Sequence, residues 1–128
     1  MRNKVNVILY CRVCDKTTTE GLEVQKNKLI NFCAKHNYHV VEIVQSSIGI
    51  THKNDEKLLD CLRRNKGKAD KILCVSWDRL IRCLEIGCEL IKELVSTGIE
   101  PVIISKRDSF DLEFEKYIYN YYLSKLAA

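Results

Sequence analysis

Apolar positions fall into two alternating rhythms along this chain. Val5-Asn6-Val7-Ile8-Leu9-Tyr10 is a short β-rich run and predicts a strand. From Thr19 to His36, Leu22, Gln25, Leu29, Phe32 and Cys33 recur at helical spacing, with Thr18 or Thr19 as the expected N-cap and Glu20 and Glu23 near the positive end of the dipole. His39 to Val44 reads as a second strand, and the polar, Gly-containing residues 45–53 as a loop. Asn54 is the expected cap of a second helix, with Asp55 and Glu56 in its first turn, Leu58, Leu59 and Leu62 as its apolar stripe and Gly67 as its stop. A strand over Lys71–Ser76, a helix over Leu80–Thr97 ended by Gly98, a strand over Pro101–Ser105 and an aromatic-rich helix over Asp111–Leu126 complete the pattern. Strands separated by helices imply βαβ crossovers. The expected fold is therefore α/β, a three-layer sandwich around a mostly parallel sheet of four to five strands, ending in a C-terminal helix.

Composition narrows the class. One Pro and five Gly in 128 residues, with aliphatics throughout, exclude a low-complexity chain and fit one domain. No apolar run approaches the ~18–20 residues of a membrane helix, and the short stretch behind Met1 does not resemble a signal peptide. No membrane partner is expected, and the expected location is the cytoplasm. The seven cysteines (11, 14, 33, 61, 74, 83 and 88) form an odd set scattered through apolar periods, which reads as buried thiols in a reducing compartment. The formal charge is only +4, but residues 53–82 hold nine basic against five acidic side chains, a stretch that permits a polyanion partner.

In parallel sheets function gathers at the C-terminal strand ends. The first end reads Tyr10-Cys11-Arg12-Val13-Cys14-Asp15 and the third Ser76-Trp77-Asp78-Arg79-Leu80-Ile81-Arg82. If both face one crevice, Arg12, Arg79 and Arg82 surround the Cys14 thiol, with Asp78 beside them. Guanidinium groups fork onto phosphate oxygens, and positive charge favours a thiolate. Asp-Arg-x-x-Arg at a helix start is by spacing alone more often a solvated, self-paired surface turn. Other chemistries fail on spacing: the chain has no phosphate-loop glycine pattern, Cys11 and Cys14 would point to opposite faces of a strand end, and Cys83-x4-Cys88 with three scattered histidines does not supply a zinc set. Neither a metal nor a cofactor is expected.

Taken together, Tyr10-x-Arg12-Val13-Cys14, Leu22-x-x-Gln25 and Trp77-Asp78-Arg79-Leu80-x-Arg82 resemble the N-terminal catalytic domain of the serine recombinases, the resolvase/invertase group. The resemblance spans about residues 4–105, with three motifs in register. It divides the chain into a resolvase-like catalytic domain over residues 1–110 and a C-terminal helix over 111–128, with no DNA-binding module expected in this chain. Several positions depart from the family pattern. Cys14 stands where the family has its nucleophilic serine. Gln45 and Ile48 replace an acid and a hydroxyl in the second strand-end loop, where Gly49 is kept. An arginine that opens the next helix falls near Asn54 or Asp55 and is lost.

The resemblance implies a site-specific DNA recombinase, of the kind found in mobile elements. In that family the nucleophile forms a covalent 5′-phosphoryl–protein ester, releases a 3′-hydroxyl and later reverses the reaction, without metal or nucleotide. By resemblance Arg12, Arg79 and Arg82 hold the scissile phosphate, Asp78 orients them, and Tyr10 and Gln25 support the shell. DNA is the implied partner, together with a second copy of the chain in a homodimer formed through the C-terminal helix, whose Phe110, Phe114, Tyr117, Ile118, Tyr121 and Tyr122 offer aromatic surface. The departures support an alternative: a catalytically impaired resolvase-like module for DNA binding or dimerisation.

Overall fold

The computed structural model describes residues 4–13, 21–47, 55–76, 80, 84–105, 113, 116, 117, 120 and 124, with the backbone alone at 84–88. Among the described residues the elements run in the order β1 (Val5–Arg12), α1 (Leu22–His36), β2 (Tyr38–Ser46), α2 (Glu56–Arg64), β3 (Lys71–Cys74), α3 (Leu84–Thr97) and β4 (Glu100–Ile103). The four strands form one parallel sheet in the order β2-β1-β3-β4. The expected α/β class and parallel sheet are what is observed.

Alternation along β1 explains the two cores. Val7, Leu9 and Cys11 turn to one face and pack with Leu29 and Cys33 of α1. Ile8 and Tyr10 turn to the other and pack with Leu58, Leu59 and Leu62 of α2 and Leu90, Ile91 and Leu94 of α3. A strand buried on both faces has to be apolar at every position, which accounts for the unbroken run Val7–Cys11. Between β1 and β2 the register slips once: Val7 pairs with Val40 but Ile8 with Glu42, leaving Val41 as the extra residue of a bulge.

Helix ends differ from the sequence expectations in instructive ways. The N-cap of α1 is Gly21, with no side-chain cap, rather than Thr18 or Thr19, which lie outside the described residues. Asp55, not Asn54, caps α2, its Oδ1 accepting from the Lys57 N–H at 3.0 Å. β1 and β2 each run further than the β-rich pattern suggested, to Arg12 and Ser46, because polar residues join the ladder once the strand is sheltered. β3 and β4 are shorter, ending at Cys74 and Ile103. Leu80 is helical and buried, and the expected helix over 80–97 is described as α3 from Leu84. In the C-terminal segment the described residues Glu113, Lys116, Tyr117, Asn120 and Ser124 are helical and exposed.

Two helices close through left-handed residues. At the end of α1, Asn37 (φ 57°) donates its N–H to the Cys33 carbonyl. At the end of α3, Gly98 (φ 73°) donates to Val95 and Ile99 donates to Leu94, and the buried side chains of Leu94 and Ile99 seal the turn. A Cβ at Gly98 would meet nothing within 4 Å, so a side chain there costs only backbone strain. Gly98→Ala should therefore lower unfolding free energy by about 1 kcal/mol. Urea titration checks this, with the midpoint falling and the slope unchanged.

Candidate active site

Topology selects the place. The chain leaves β1 for β2 on one side and later returns to β3 on the other, so the order reverses between β1 and β3. Ligands of open parallel sheets bind outside the strand ends at such a reversal. Leu9 pairs with Leu73, so the C-terminal ends of β1 and β3 lie on neighbouring strands at the same edge of the sheet.

The end of β1 is held by a side chain. Val13 donates its N–H to the Ser46 carbonyl of β2 at 3.0 Å. Successive residues of a parallel strand turn to opposite neighbours, so the N–H and C=O of Arg12 face the β3 side, where that strand has ended. Gln25 fills the gap. Its Oε1 accepts from the Arg12 N–H at 3.1 Å, and its Nε2 donates to the Arg12 carbonyl at 2.9 Å. Gln25 is fully buried and its own N–H closes the first turn of α1 on the Gly21 carbonyl at 3.2 Å, so its amide is fixed from both ends. The primary amide supplies one donor and one acceptor, as a peptide of a neighbouring strand would.

Arg12 and Tyr10 share the face covered by α2 and α3. The Arg12 side chain is only 3% exposed, opposite the buried Ser46. The Tyr10 hydroxyl donates to Oδ2 of Asp55 at 2.7 Å, linking β1 to the first residue of the α2 cap. Burial pushes the Tyr10 phenol far above its ordinary pKa, and the hydrogen bond and negative charge of Asp55 push it the same way. The positive charge of Arg12 opposes that shift. Tyr10 is therefore a neutral donor to Asp55. A cavity of about 280 Å³ opens between β2 and α2, lined by Glu42, Gln45, Lys57, Asp60 and Arg64 among others.

Of the residues expected at the site, Tyr10, Arg12 and Gln25 are brought together. Cys14, Asp78, Arg79 and Arg82 lie outside the described residues, as do Ile48 and Asn54. The basic stretch is partly neutralised. Arg63 pairs with Glu93 at 2.8 Å, Arg64 with Glu42 at 2.9 Å and Asp60 at 3.0 Å, and Lys71 with Glu100 at 3.4 Å. Sequence reasoning assigned Asp55 to a helix turn and missed its bond to Tyr10; the adjacent acids at a helix start were the available signal, but not the partner 45 residues away. Among the described residues no group of His, Cys, Asp or Glu could hold a metal ion, and no helix is long and apolar enough to cross a membrane.

With this geometry in place, the comparisons are specific. The family described as "Resolvase, N terminal domain" matches residues 7–121. The chain belongs to that family. Among solved structures it is similar to the C-terminal catalytic domain of ISC1926 TnpA, an IS607-like serine recombinase, at 23% identity and TM-score 0.65, over 87% of this chain and 77% of that one. It is also similar to the N-terminal catalytic domain of TP901-1 integrase, at 17% identity and TM-score 0.67, over 96% and 99% of the two chains. A resolvase family site-specific recombinase from Streptococcus pneumoniae gives 18% identity and TM-score 0.66, over 97% and 91%. Identities this low carry the fold alone. No curated protein matches the chain.

The Gln25 clamp generates a stability prediction. Gln25→Leu leaves a buried donor and acceptor of Arg12 without partners and should cost about 2–4 kcal/mol in urea unfolding. Gln25→Glu keeps the acceptor but sets an anionic oxygen against the Arg12 carbonyl, so it should be similarly unstable at pH 7. The introduced carboxyl has a raised pKa in the folded state, because only its protonated form can donate to that carbonyl. The deficit should therefore be small below about pH 4.3 and grow as pH rises through the folded-state pKa.

Proposed function

We propose that this domain is the catalytic domain of a site-specific DNA recombinase, with Cys14 in the role of the nucleophile. The observation that carries the reading is the clamp of Gln25 on the Arg12 backbone, which holds this arginine at the strand end where the sheet order reverses. In the proposed reaction Cys14 Sγ attacks the scissile phosphorus. An S–P bond forms, the P–O3′ bond breaks, and the thiol's proton is balanced by protonation of the departing 3′-oxygen. Arg12, Arg79 and Arg82 neutralise the charge on the pentacoordinate phosphorus, and Asp78 orients them. Rejoining runs the same steps backwards, with no net change in bond order. Pairing of two domains through residues 111–128 belongs to the same reading, and the 52% exposure of the helical Tyr117 supports it.

A thiolate changes the balance of the two halves. A thiol of pKa ~8.5 leaves far more readily than an alkoxide, whose conjugate acid is nearer the ~15.7 of water. The thioester-like phosphoryl intermediate therefore collapses back to intact DNA, and little covalent adduct accumulates. A second reading, a DNA-binding or assembly module with impaired chemistry, draws on Asp55. A carboxylate stands there where the family pattern expects an arginine nearby, and it is engaged with Tyr10.

Two experiments test the assignment. Cys11, Cys33, Cys61 and Cys74 are buried, and burial pushes their thiols up, Cys11 to about 11 and Cys61 and Cys74 to about 12. Brief alkylation at neutral pH followed by peptide mapping should label Cys14 well before these four. Labelling of any of the four ahead of Cys14 would make Cys14 a structural thiol. Separately, Cys14→Ser in the chain fused to a sequence-specific DNA-binding domain should raise covalent protein–DNA adduct on supercoiled DNA carrying the matching site. Arg12→Ala in that background should abolish the gain. No adduct with Cys14→Ser would favour the second reading.

A further inference from the structure

All strands of a parallel sheet start at one edge, and the helices that connect them end there. Here that edge is the pole opposite the candidate site, about 26 Å away along the eight residues of β1. Three chain segments meet around Val5 and Asn6. Tyr38 is the register partner of Val5, and the His36 ring packs between Phe32 and Tyr38, with centroids 4.1 and 5.6 Å apart. The end of α1 is thereby held against the start of β2, which brings Lys35 to the pole where Lys4 enters β1. From the other side, Asp70 donates its N–H to the Asn6 carbonyl at 2.7 Å and accepts the Asn6 N–H on Oδ2 at 2.8 Å. Lys66 and Lys68 flank the left-handed Gly67 in the turn just before it. Cations elsewhere on the domain meet acids, Lys26 with Glu23 at 3.4 Å and Lys92 with Glu89 at 3.6 Å besides the pairs of Arg63, Arg64 and Lys71. Lys4, Lys35, Lys66 and Lys68 are all exposed and enter no ion pair among the described residues. The described acids at this edge are Asp70, bonded to Asn6, and Glu100, paired with Lys71. A helix C-terminus favours Lys35, in the last turn of α1, but Lys4 and Lys68 lie outside any helix.

We propose that this pole is a DNA-contacting surface separate from the candidate active site, with Lys4, Lys35, Lys66 and Lys68 holding the phosphate backbone of a duplex. The proposal rests on the reading of this domain as one that acts on DNA, but on neither cleavage nor the role of Cys14. Four point charges from separate segments, rather than an arginine fork, suit the spread charge of a phosphate backbone and carry no base readout. The two ends of the sheet face away from each other, so one straight stretch of duplex does not reach both. A domain engaged with one segment at the strand ends therefore keeps this pole for another.

The test is an equilibrium titration of a fluorescently labelled DNA duplex by anisotropy between ~50 and ~200 mM salt, with the whole chain and its variants. Lys4→Gln with Lys68→Gln should weaken binding about tenfold at the low-salt end and lower the slope of log affinity against log salt by about two. Both side chains are exposed, so this variant should melt like the parent. Lys4→Arg with Lys68→Arg keeps the charges and should bind like the parent. Lys26→Gln with Lys92→Gln removes two cations already offset by neighbouring glutamates and should change affinity less than twofold. The proposal is overturned if the parent does not bind, or if the Gln pair at the pole loses no more than the Lys26 and Lys92 pair. It is also overturned if poly-glutamate displaces the duplex as well as unlabelled duplex of equal charge, which would make the pole a site for an acidic protein. Because no bond is broken, a loss at the pole beside absent Cys14→Ser adduct would reject the chemistry and keep this surface. Adduct with no loss at the pole would do the reverse.

Discussion

Gln25 joins its helix to the central strand by two hydrogen bonds to a single peptide group, that of Arg12. A buried peptide must be partnered. β1 outlasts β3 on its C-terminal side, so without an amide at this point Arg12 could not continue the strand inside the molecule. At the opposite end of the same edge a side chain does similar work, Asn6 donating to Asp70 Oδ2 at 2.8 Å while the Asp70 N–H returns to the Asn6 carbonyl at 2.7 Å. The β1–β3 ladder is thus extended at both ends by polar side chains. The upper extension fixes the point at which β1 ends.

The path of the sheet was legible in the sequence because it depends on periodicity. A strand covered on both faces has to be a continuous apolar run, and Val7–Cys11 has no other way to be satisfied. The order of helices and strands followed from the switch in rhythm. What the pattern could not reveal were features set by partners distant in sequence. The cap of α2 falls at Asp55, whose side chain also meets Tyr10, a partner 45 residues away. The bulge at Val41 has no local mark, since a β-branched residue reads the same whether paired or extra.

The candidate site was legible in part for the same reason. Gln25 was noted as one element of a motif, but its role is visible only when the ends of β1 and β3 are compared. The basic stretch shows the opposite failure. Counting gave a surplus of four positive charges over residues 53–82. Arg63, Arg64 and Lys71 meet acids on α3, β2 and β4, residues that a windowed count never includes. Local net charge therefore overstates what that face offers a polyanion.

The bulge has a further consequence for the site. Without the extra residue at Val41, every later residue of β2 would turn to the other face. The slip instead sets Glu42, Val44 and Ser46 opposite Ile8, Tyr10 and Arg12, the β1 residues of the α2 face. Glu42 can then receive the fork of Arg64 at 2.9 and 3.0 Å, together with the Asn65 amide at 3.0 Å, and these charge-assisted bonds hold its carboxyl below the usual range. The C-terminal end of α2 is thereby tied to β2, while its N-terminal end is tied to β1 through Asp55 and Tyr10. With both ends of the helix fixed, the carboxylate of Asp55 has a defined position against the Tyr10 hydroxyl. The polar link between β1 and the start of α2 is consequently a property of the packed sheet and helix rather than of a surface turn.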